Sequence, residues 1–468
     1  MYDSEKDSVS GEKSKGLTRQ LSLFDSTMIM VGIVLGSGIF LTTGYIASSI
    51  PSASLIMLAW IFGGLLTLAG ALTYAELGAS MPETGGQYVY LREAYHPIVS
   101  FVFGWIMFFI YMTGTIAAMA VAFAEYFGYF FPNLSLQHVL FKIPLGDSFS
   151  LTFSSGKIVA LAVTLFLTVI NIMRKRFGFT LQNVFTVIKI ATLLVIIVLG
   201  FSIGKGTAID FSVNPGHFDI GTLIMGFGVA MVAVFWTFEG WNNINFVAGE
   251  IKNPSKNLPL VLIGGTLIVT ILYALVNYIY LYALPISEMQ GVERIAEKAT
   301  TVLFGGTTAT IISAAVLVST FGALNGCVLA GPRVYYAMAK DGLFFRQVAR
   351  IHPKYNTPAF SFGVQLIWAS LLIITGTFNQ LITFVMFIAI ILWIVATASV
   401  FTLRKKYPDL PRPYKTWGYP VMPVLFIVAT AGIVLNTLIE KPVEALAGLG
   451  LTVIAVPTYF LWKRKRVS

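Results

Sequence analysis

Two glycine-broken stretches carry the residues most able to do chemistry in this chain. One is Val34-Leu35-Gly36-Ser37-Gly38, the other Trp236-Thr237-Phe238-Glu239-Gly240-Trp241, and each interrupts an apolar run long enough to cross a bilayer. Backbone released from helical pairing at that depth is tolerated only where it is buried in protein or lines a polar cavity. The half-helix that ends before such a gap points free carbonyls and a negative dipole end into it; the half-helix that begins after the gap points free N–H groups and a positive end at the same place. One gap therefore offers a site for an anion beside a site for a cation, a pairing that matches a zwitterion with carboxylate and ammonium on one carbon. The competing reading is that small residues merely let helices pack closely. A second break in the matching position of the other half of the chain favours a ligand site.

A third residue stands out by its cost. Lys189 lies in the middle of an apolar run, where a charge costs about 2.5–3.5 kcal/mol on insertion scales, so something must compensate it. A structural lysine and a proton carrier are both open readings. Glu76 and Glu250 fall near inner helix ends, where a cytoplasmic cation such as Arg333 could close a gate, and Glu125 falls near an outer end, where a solvated face accounts for it.

The elements that must position these residues follow from composition. Of the 468 residues, 56% are hydrophobic and 11% charged, far below the charged share of a soluble domain, so the expected fold class is an all-α polytopic membrane protein. Twelve spans are expected, near 22–48, 54–79, 98–131, 156–174, 179–203, 221–249, 258–284, 309–340, 359–376, 379–403, 419–438 and 444–462; these are helices 1 to 12. The expected organisation is a cytoplasmic tail at 1–20, a transport core of helices 1–10 over 21–403, helices 11 and 12 over 404–463, and a short cytoplasmic tail at 464–468. Helices 1–5 and 6–10 each open with a broken helix. Five is odd, so the second set crosses the membrane in the opposite sense, which is the arithmetic of a 5+5 inverted repeat.

Charge sets the orientation. With the N-terminus inside, the outward loops hold Lys142, Lys157, Lys205, Arg294, Lys298 and Lys441, and all other Lys and Arg except Lys189 face the cytoplasm. Both termini are thus expected inside. The net charge of +10 is explained by this topology, and because the cations are spread over many inward segments no nucleic acid partner is expected. The Lys463–Arg466 cluster is expected to attract anionic lipid. No apolar h-region precedes Leu21, so no signal peptide is expected.

Enzymatic readings find little. The four histidines have no metal-ligand spacing, the single Cys327 has no cysteine partner and reads as a small buried hydrophobe, and no phosphate-cradling Gly-x-x-x-x-Gly-Lys-Ser/Thr motif occurs. Neither catalytic residues nor a metal or other cofactor is expected, and any uphill movement must draw on solute gradients.

Several stretches resemble a known family: Val34-Leu-Gly-Ser-Gly-Ile-Phe40, Gly70-Ala-Leu-Thr-Tyr-Ala-Glu-Leu-Gly78 followed by Pro82-Glu-Thr-Gly-Gly-Gln-Tyr-Val-Tyr90, Glu239-Gly-Trp-Asn-Asn-Ile-Asn-Phe-Val-Ala-Gly-Glu-Ile-Lys-Asn-Pro254, Phe321-Gly-Ala-Leu-Asn325 and Lys441-Pro-Val-Glu444. They are similar to the L-type amino acid transporter branch of the amino acid–polyamine–organocation superfamily. The resemblance implies a LeuT-type fold with discontinuous helices 1 and 6 and sodium-independent exchange of neutral amino acids by alternating access in the cell membrane. It places the substrate carboxylate at Ser37 and Gly38, beside Gly36 and Thr237, and the ammonium at the carbonyls of Val34, Trp236 and Glu239. It makes Trp236 the aromatic that covers the substrate from outside, and Tyr111, Asn325 and Trp393 candidates for specificity. By the same resemblance, Lys189 replaces a sodium ion by binding the backbone of helix 1. Glu239 departs from the small residue or Asp of many relatives and leaves the preferred substrate charge open. Residues 132–155 lack the cysteine through which eukaryotic relatives join an ancillary glycoprotein, so no disulfide-linked subunit is expected there. Proton-coupled symport, exchange of cationic amino acids and a non-transporting amino acid sensor remain alternatives.

Overall fold

The computed structural model describes residues 18–144, 150–173, 175–212, 220–292, 294–375 and 378–467. Residues 1–17 of the expected N-terminal tail, and Ser468 of the C-terminal one, lie outside the described residues, as do the side chains of the Lys463–Arg466 cluster. Eleven helices are long and apolar enough to cross a membrane among the described residues, and a shorter apolar helix, Ala359–Thr375, falls at the position expected for helix 9. The chain is an all-α polytopic membrane protein with one exception in its loops. The segment between helices 3 and 4 carries two antiparallel strands, Val139–Pro144 and Ser150–Ser154, where the sequence suggested only a loop.

Helix 1 is two helices, Leu23–Val34 and Gly38–Ser49. Its start is fixed by a capping box: the Ser22 hydroxyl accepts from the Asp25 amide at 3.1 Å, while the Asp25 carboxylate accepts from the Ser22 amide at 3.0 Å. Helix 6 is the α-helix Ile220–Phe238, a non-helical turn, and a 3-10 stretch at Asn243–Glu250. Both interruptions fall where the glycines sit. Gly240 has φ +96°, a conformation that side-chain-bearing residues rarely adopt.

Burial orders the bundle. The most apolar windows of helices 1 and 3 are 89% and 94% buried, that of helix 12 only 22%, so the first two form the centre and the last the rim. Outward residues of the peripheral helices, such as Val198, Ile224, Ile367 and Val453, are large, apolar and exposed; in a chain of this class that surface is solvated by lipid. Helix 8, Thr307–Lys340, contains Pro332, which cannot donate to the Val328 carbonyl. The Gln365 side-chain amide of helix 9 donates to that carbonyl at 3.1 Å, and Ser361 caps the Pro332 carbonyl at 2.9 Å. The freed backbone is thereby satisfied from a neighbouring helix.

Candidate functional site

At the helix 1 break the chemistry is almost entirely main chain. The amides of Ser37 and Gly38 have no acceptor among the described residues, as expected for the first donors of a helix. The carbonyls on the other side of the gap are partly spoken for: Val34 O accepts from the Gly36 amide and from the Tyr273 hydroxyl, each at 2.7 Å, and Leu35 O accepts from Ser319 at 2.9 Å. Tyr273, on helix 7, also lies 3.0 Å from the Thr237 carbonyl of helix 6. A phenol has one proton and two carbonyls within its reach here. It therefore ties the two breaks together while leaving spare acceptor capacity on whichever carbonyl it does not serve. Neither Tyr273 nor Ser319 was singled out from the sequence, because each is a common polar residue in an apolar helix with no local motif around it.

The two breaks touch. A Cβ added at Gly38 would lie 2.7 Å from Thr237 Oγ1 and 2.9 Å from its Cα, and Thr42 and Thr237 hydroxyls are 3.0 Å apart. The missing Cβ of Gly38 is thus required by helix approach as well as by anything bound at its amide. Gly36 has Met119 of helix 3 and Ala323 of helix 8 as neighbours, and the Ser37 hydroxyl faces Met119 Sδ at 3.9 Å.

At the helix 6 break, side chains dominate. Glu239 is buried; one of its oxygens accepts a short hydrogen bond from Tyr111, and the other has no donor among the described residues. Tyr111 sits at the end of a five-residue π-turn in helix 3, Met107–Tyr111. Trp236 is buried in the same segment, with its carbonyl accepting from the Glu239 amide at 3.2 Å. Trp393 stands edge-on to Phe235 and to Trp241, with centroids 5.9 and 5.8 Å away. Both side-chain amides of Asn242 and Asn243 are buried without partners among the described residues. Asn325 behaves differently from Tyr111 and Trp393. It accepts from Asn171 of helix 4 at 2.8 Å and donates to Gln182 of helix 5 at 2.9 Å, which makes it part of a cross-brace between helices 4, 5 and 8.

Lys189 finds its partner on helix 1. Its ammonium donates to the Gly32 carbonyl at 2.7 Å, and Gly322 of helix 8 leaves room for its side chain. It is the last rung of a ladder: Asn183 donates to Asp25 at 2.7 Å, Thr186 to the Met28 carbonyl at 2.9 Å, Lys189 to Gly32. Residues 183, 186 and 189 share one face of helix 5, and the two helices run in the same direction with a nearly constant offset. The N-terminal half of helix 1 is held along its length by this ladder. Cys327 is buried with a free thiol, in keeping with its reading as a small core residue.

The helix ends expected to face inward are tied by charge and by main chain. Arg333 meets Glu250 at 2.9 Å with both side chains fully buried. Glu76 is taken instead by Arg404, at 2.9 and 2.7 Å, and by the amide and hydroxyl of Thr416, each at 2.7 Å. The amides of Gln20 and Leu21 donate to the Glu250 carbonyl at 2.8 and 2.9 Å, joining the entry of helix 1 to the exit of helix 6. The Gly85-Gly86 pair in the helix 2–3 connection has a reason here. Gly86, at φ +50°, lies against the Asn245 backbone, and the Gly85 amide donates to the Phe246 carbonyl at 3.1 Å. Glu125 accepts from the Gln137 side-chain amide at 3.1 Å.

Comparison with known proteins narrows the chemistry. Residues 21–455 match the family model described as amino acid permease. Across 97% of its length the chain is 32% identical to the serine/threonine exchanger SteT of Bacillus subtilis, 99% of which is covered. It is 30% identical to the human large neutral amino acids transporter small subunit 2, over 99% of this chain and 84% of that protein. It is 28% identical to the human b(0,+)-type amino acid transporter 1, over 92% of this chain and 85% of that protein.

Proposed function

The chain belongs to the amino acid permease family, and from that premise we propose that it is a sodium-independent exchanger of neutral L-amino acids, working by alternating access in the cell membrane with both termini in the cytoplasm. The observation that carries this reading is the apposition of two broken helices whose unpaired amides at Ser37 and Gly38 and partly free carbonyls at Val34 and Thr237 share one buried place. The amides at the positive end of the outer half of helix 1 receive the substrate carboxylate. The ammonium goes to the carbonyls around Val34, Trp236 and Glu239, with Tyr273 yielding one of them. Trp236 covers the substrate, and Glu239, Tyr111 and Trp393 meet its side chain. Thr237 and Gly36 supply the close approach that shapes the gap.

Lys189 occupies the place of a coupling ion. A fixed ammonium on the Gly32 carbonyl neutralises the negative end of the inner half-helix without a dissociable cation, so no sodium gradient enters the cycle. We read the ten helices before residue 404 as two inverted halves, with helices 11 and 12 outside them. The relatives in this family include an exchanger by name, which supports exchange over proton symport. The absence of a cysteine in 132–155 supports action without a disulfide-linked subunit.

Glu239 favours a second reading, exchange of cationic amino acids, because a buried carboxylate oxygen without a donor could receive a side-chain ammonium or guanidinium. Counterflow in proteoliposomes separates these. Vesicles loaded with one unlabelled neutral amino acid should accumulate labelled neutral amino acid in choline as well as in sodium, and empty vesicles should not. Uptake that needs sodium, or needs no internal substrate, overturns the proposal. Stronger competition by lysine or arginine than by serine, alanine or leucine selects the cationic reading.

A further inference from the structure

Helix 3 does not run as a continuous α-helix past the site. At Met107–Tyr111 it widens into a π-turn, in which the Met112 amide donates five residues back to the Met107 carbonyl. An extra residue in a turn rotates every side chain beyond it by about 100° relative to an uninterrupted helix, and it leaves carbonyls without their usual donors. Three side chains serve those carbonyls here. Thr113 donates to Phe108 O at 2.6 Å, also five residues back, Trp368 of helix 9 donates to Phe109 O at 3.0 Å, and Tyr335 of helix 8 approaches Met107 O at 3.4 Å. The surrounding rings fix the same turn: Phe108 stands edge-on to Tyr335 at 5.0 Å and Phe109 edge-on to Trp368 at 5.0 Å. The last residue of the turn is Tyr111, whose hydroxyl is the one side-chain donor to the buried Glu239 carboxylate among the described residues.

We propose that the π-turn is an aiming device for substrate selection, and that Thr113 and Trp368 are positioning residues which hold it in register so that Tyr111 caps one oxygen of Glu239 and leaves the other for the substrate side chain. The turn is not a by-product of sequence, since Met107–Tyr111 contains neither glycine nor proline to force a wider turn. It persists because its carbonyls are satisfied from helices 3, 8 and 9. If Thr113 loses its hydroxyl, the Phe108 carbonyl is left buried without that donor, and reversion to α-helical pairing becomes the way to satisfy it. Reversion swings Tyr111 off Glu239. The carboxylate then presents two oxygens instead of one, and the balance among substrates shifts toward those bringing more hydrogen-bond donors.

The inference rests on the reading that Glu239 and Tyr111 line the substrate pocket, so its test carries a separate check on that reading. Exchange is measured in proteoliposomes for alanine, serine, leucine and lysine, with Tyr111→Phe as the reference variant. Thr113→Val should reproduce the change in relative KM seen in Tyr111→Phe, about five-fold between lysine and leucine, the size expected from one buried hydrogen bond. Its kcat should stay within about two-fold, again on the scale of one hydrogen bond. Thr113→Ser, which restores the donor, should recover the original order, and Trp368→Phe should shift it in the same sense as Thr113→Val. A Tyr111→Phe variant that changes selectivity while Thr113→Val and Trp368→Phe do not would overturn the aiming role alone. A Tyr111→Phe variant with unchanged selectivity would overturn the pocket reading and this inference with it. An equal loss of kcat for every substrate in Thr113→Val, with Trp368→Phe behaving alike, would reduce the turn to helix packing.

Discussion

The two breaks solve the same problem with different materials. In helix 1 the gap is lined by Gly36, Ser37 and Gly38, and what it offers is main chain: amides at one side and carbonyls at the other, with Tyr273 and Ser319 reaching in from helices 7 and 8. In helix 6 the gap is crowded with Glu239, Trp241, Asn242 and Asn243, and its carboxylate is addressed by Tyr111 from helix 3. A main-chain gap can recognise only what all α-amino acids share. A gap with side chains can tell one amino acid from another. On the proposed function, helix 1 meets only the part common to all α-amino acids, whereas helix 6 adds, beside its own carbonyls, the side chains that choose within the class.

The largest effect on exchange should come from the helix 1 side. Lys189→Ala removes the ammonium from the Gly32 carbonyl and frees the inner half-helix from one rung of its ladder. Exchange should fall by about 100-fold while substrate binding in detergent changes by less than about three-fold, since the lysine biases the conformational equilibrium and the backbone binds. Normal exchange in this variant would end the assignment.

Next is the buried ion pair that holds the C-terminal end of helix 6. Arg333→Leu leaves the Glu250 carboxylate buried without its guanidinium, a change that costs about 3–5 kcal/mol in such pairs, and Arg333→Leu with Glu250→Leu should regain most of the loss. Cys327 provides the readout, because a thiol-reactive dye reports the temperature at which this lone buried cysteine becomes accessible. A double variant as unstable as the single one would mean that the pair matters for packing and not for charge.

Glu239→Gln tests the helix 6 side of the comparison directly. It should change competition by lysine and serine by about ten-fold relative to leucine, the scale of a hydrogen bond to a charged group, with alanine exchange nearly unchanged. A uniform loss across all four would place Glu239 with the class-recognising groups. The smallest effect is expected from Tyr273→Phe, which deletes one hydroxyl between the two breaks. KM should rise by about five-fold for every substrate alike, because the groups it touches meet only the common part of the amino acid. A substrate-dependent change there would blur the division between the two helices.

The class of the protein was legible from composition, and its helix boundaries from apolar run length, because lipid leaves the chain so few ways to satisfy its backbone. The breaks at Gly36–Gly38 and Glu239–Gly240 and the isolation of Lys189 were equally local signals. What a linear reading could not reach were contacts between helices far apart in sequence. Tyr273 of helix 7 meets Val34 across 239 positions, Thr416 of the helix 10–11 connection meets Glu76 across 340, and neither residue is unusual in its own segment. Asn325 was a specificity candidate by resemblance with ordinary packing as the equal alternative, and that its amide engages Asn171 and Gln182 follows from the packing of helices 4, 5 and 8.

From the sequence alone, two places of backbone release could be expected, because Gly36–Gly38 and Gly240 recur at matching positions of the two halves; glycine alone does not decide it, since Gly63–Gly64 and Gly264–Gly265 lie in unbroken helices. The sequence also determined that Lys189 must have a partner, since the cost of a buried charge is set by the solvent it loses. It took the packed helices to fix that this partner is the Gly32 carbonyl, that Tyr111 at the end of the π-turn bonds Glu239, and that Arg333 pairs with Glu250 while Arg404 takes Glu76. Hydrogen bonds and ion pairs act over about 3 Å, and which groups come that close is fixed by how whole helices pack, a property that no single stretch of chain contains.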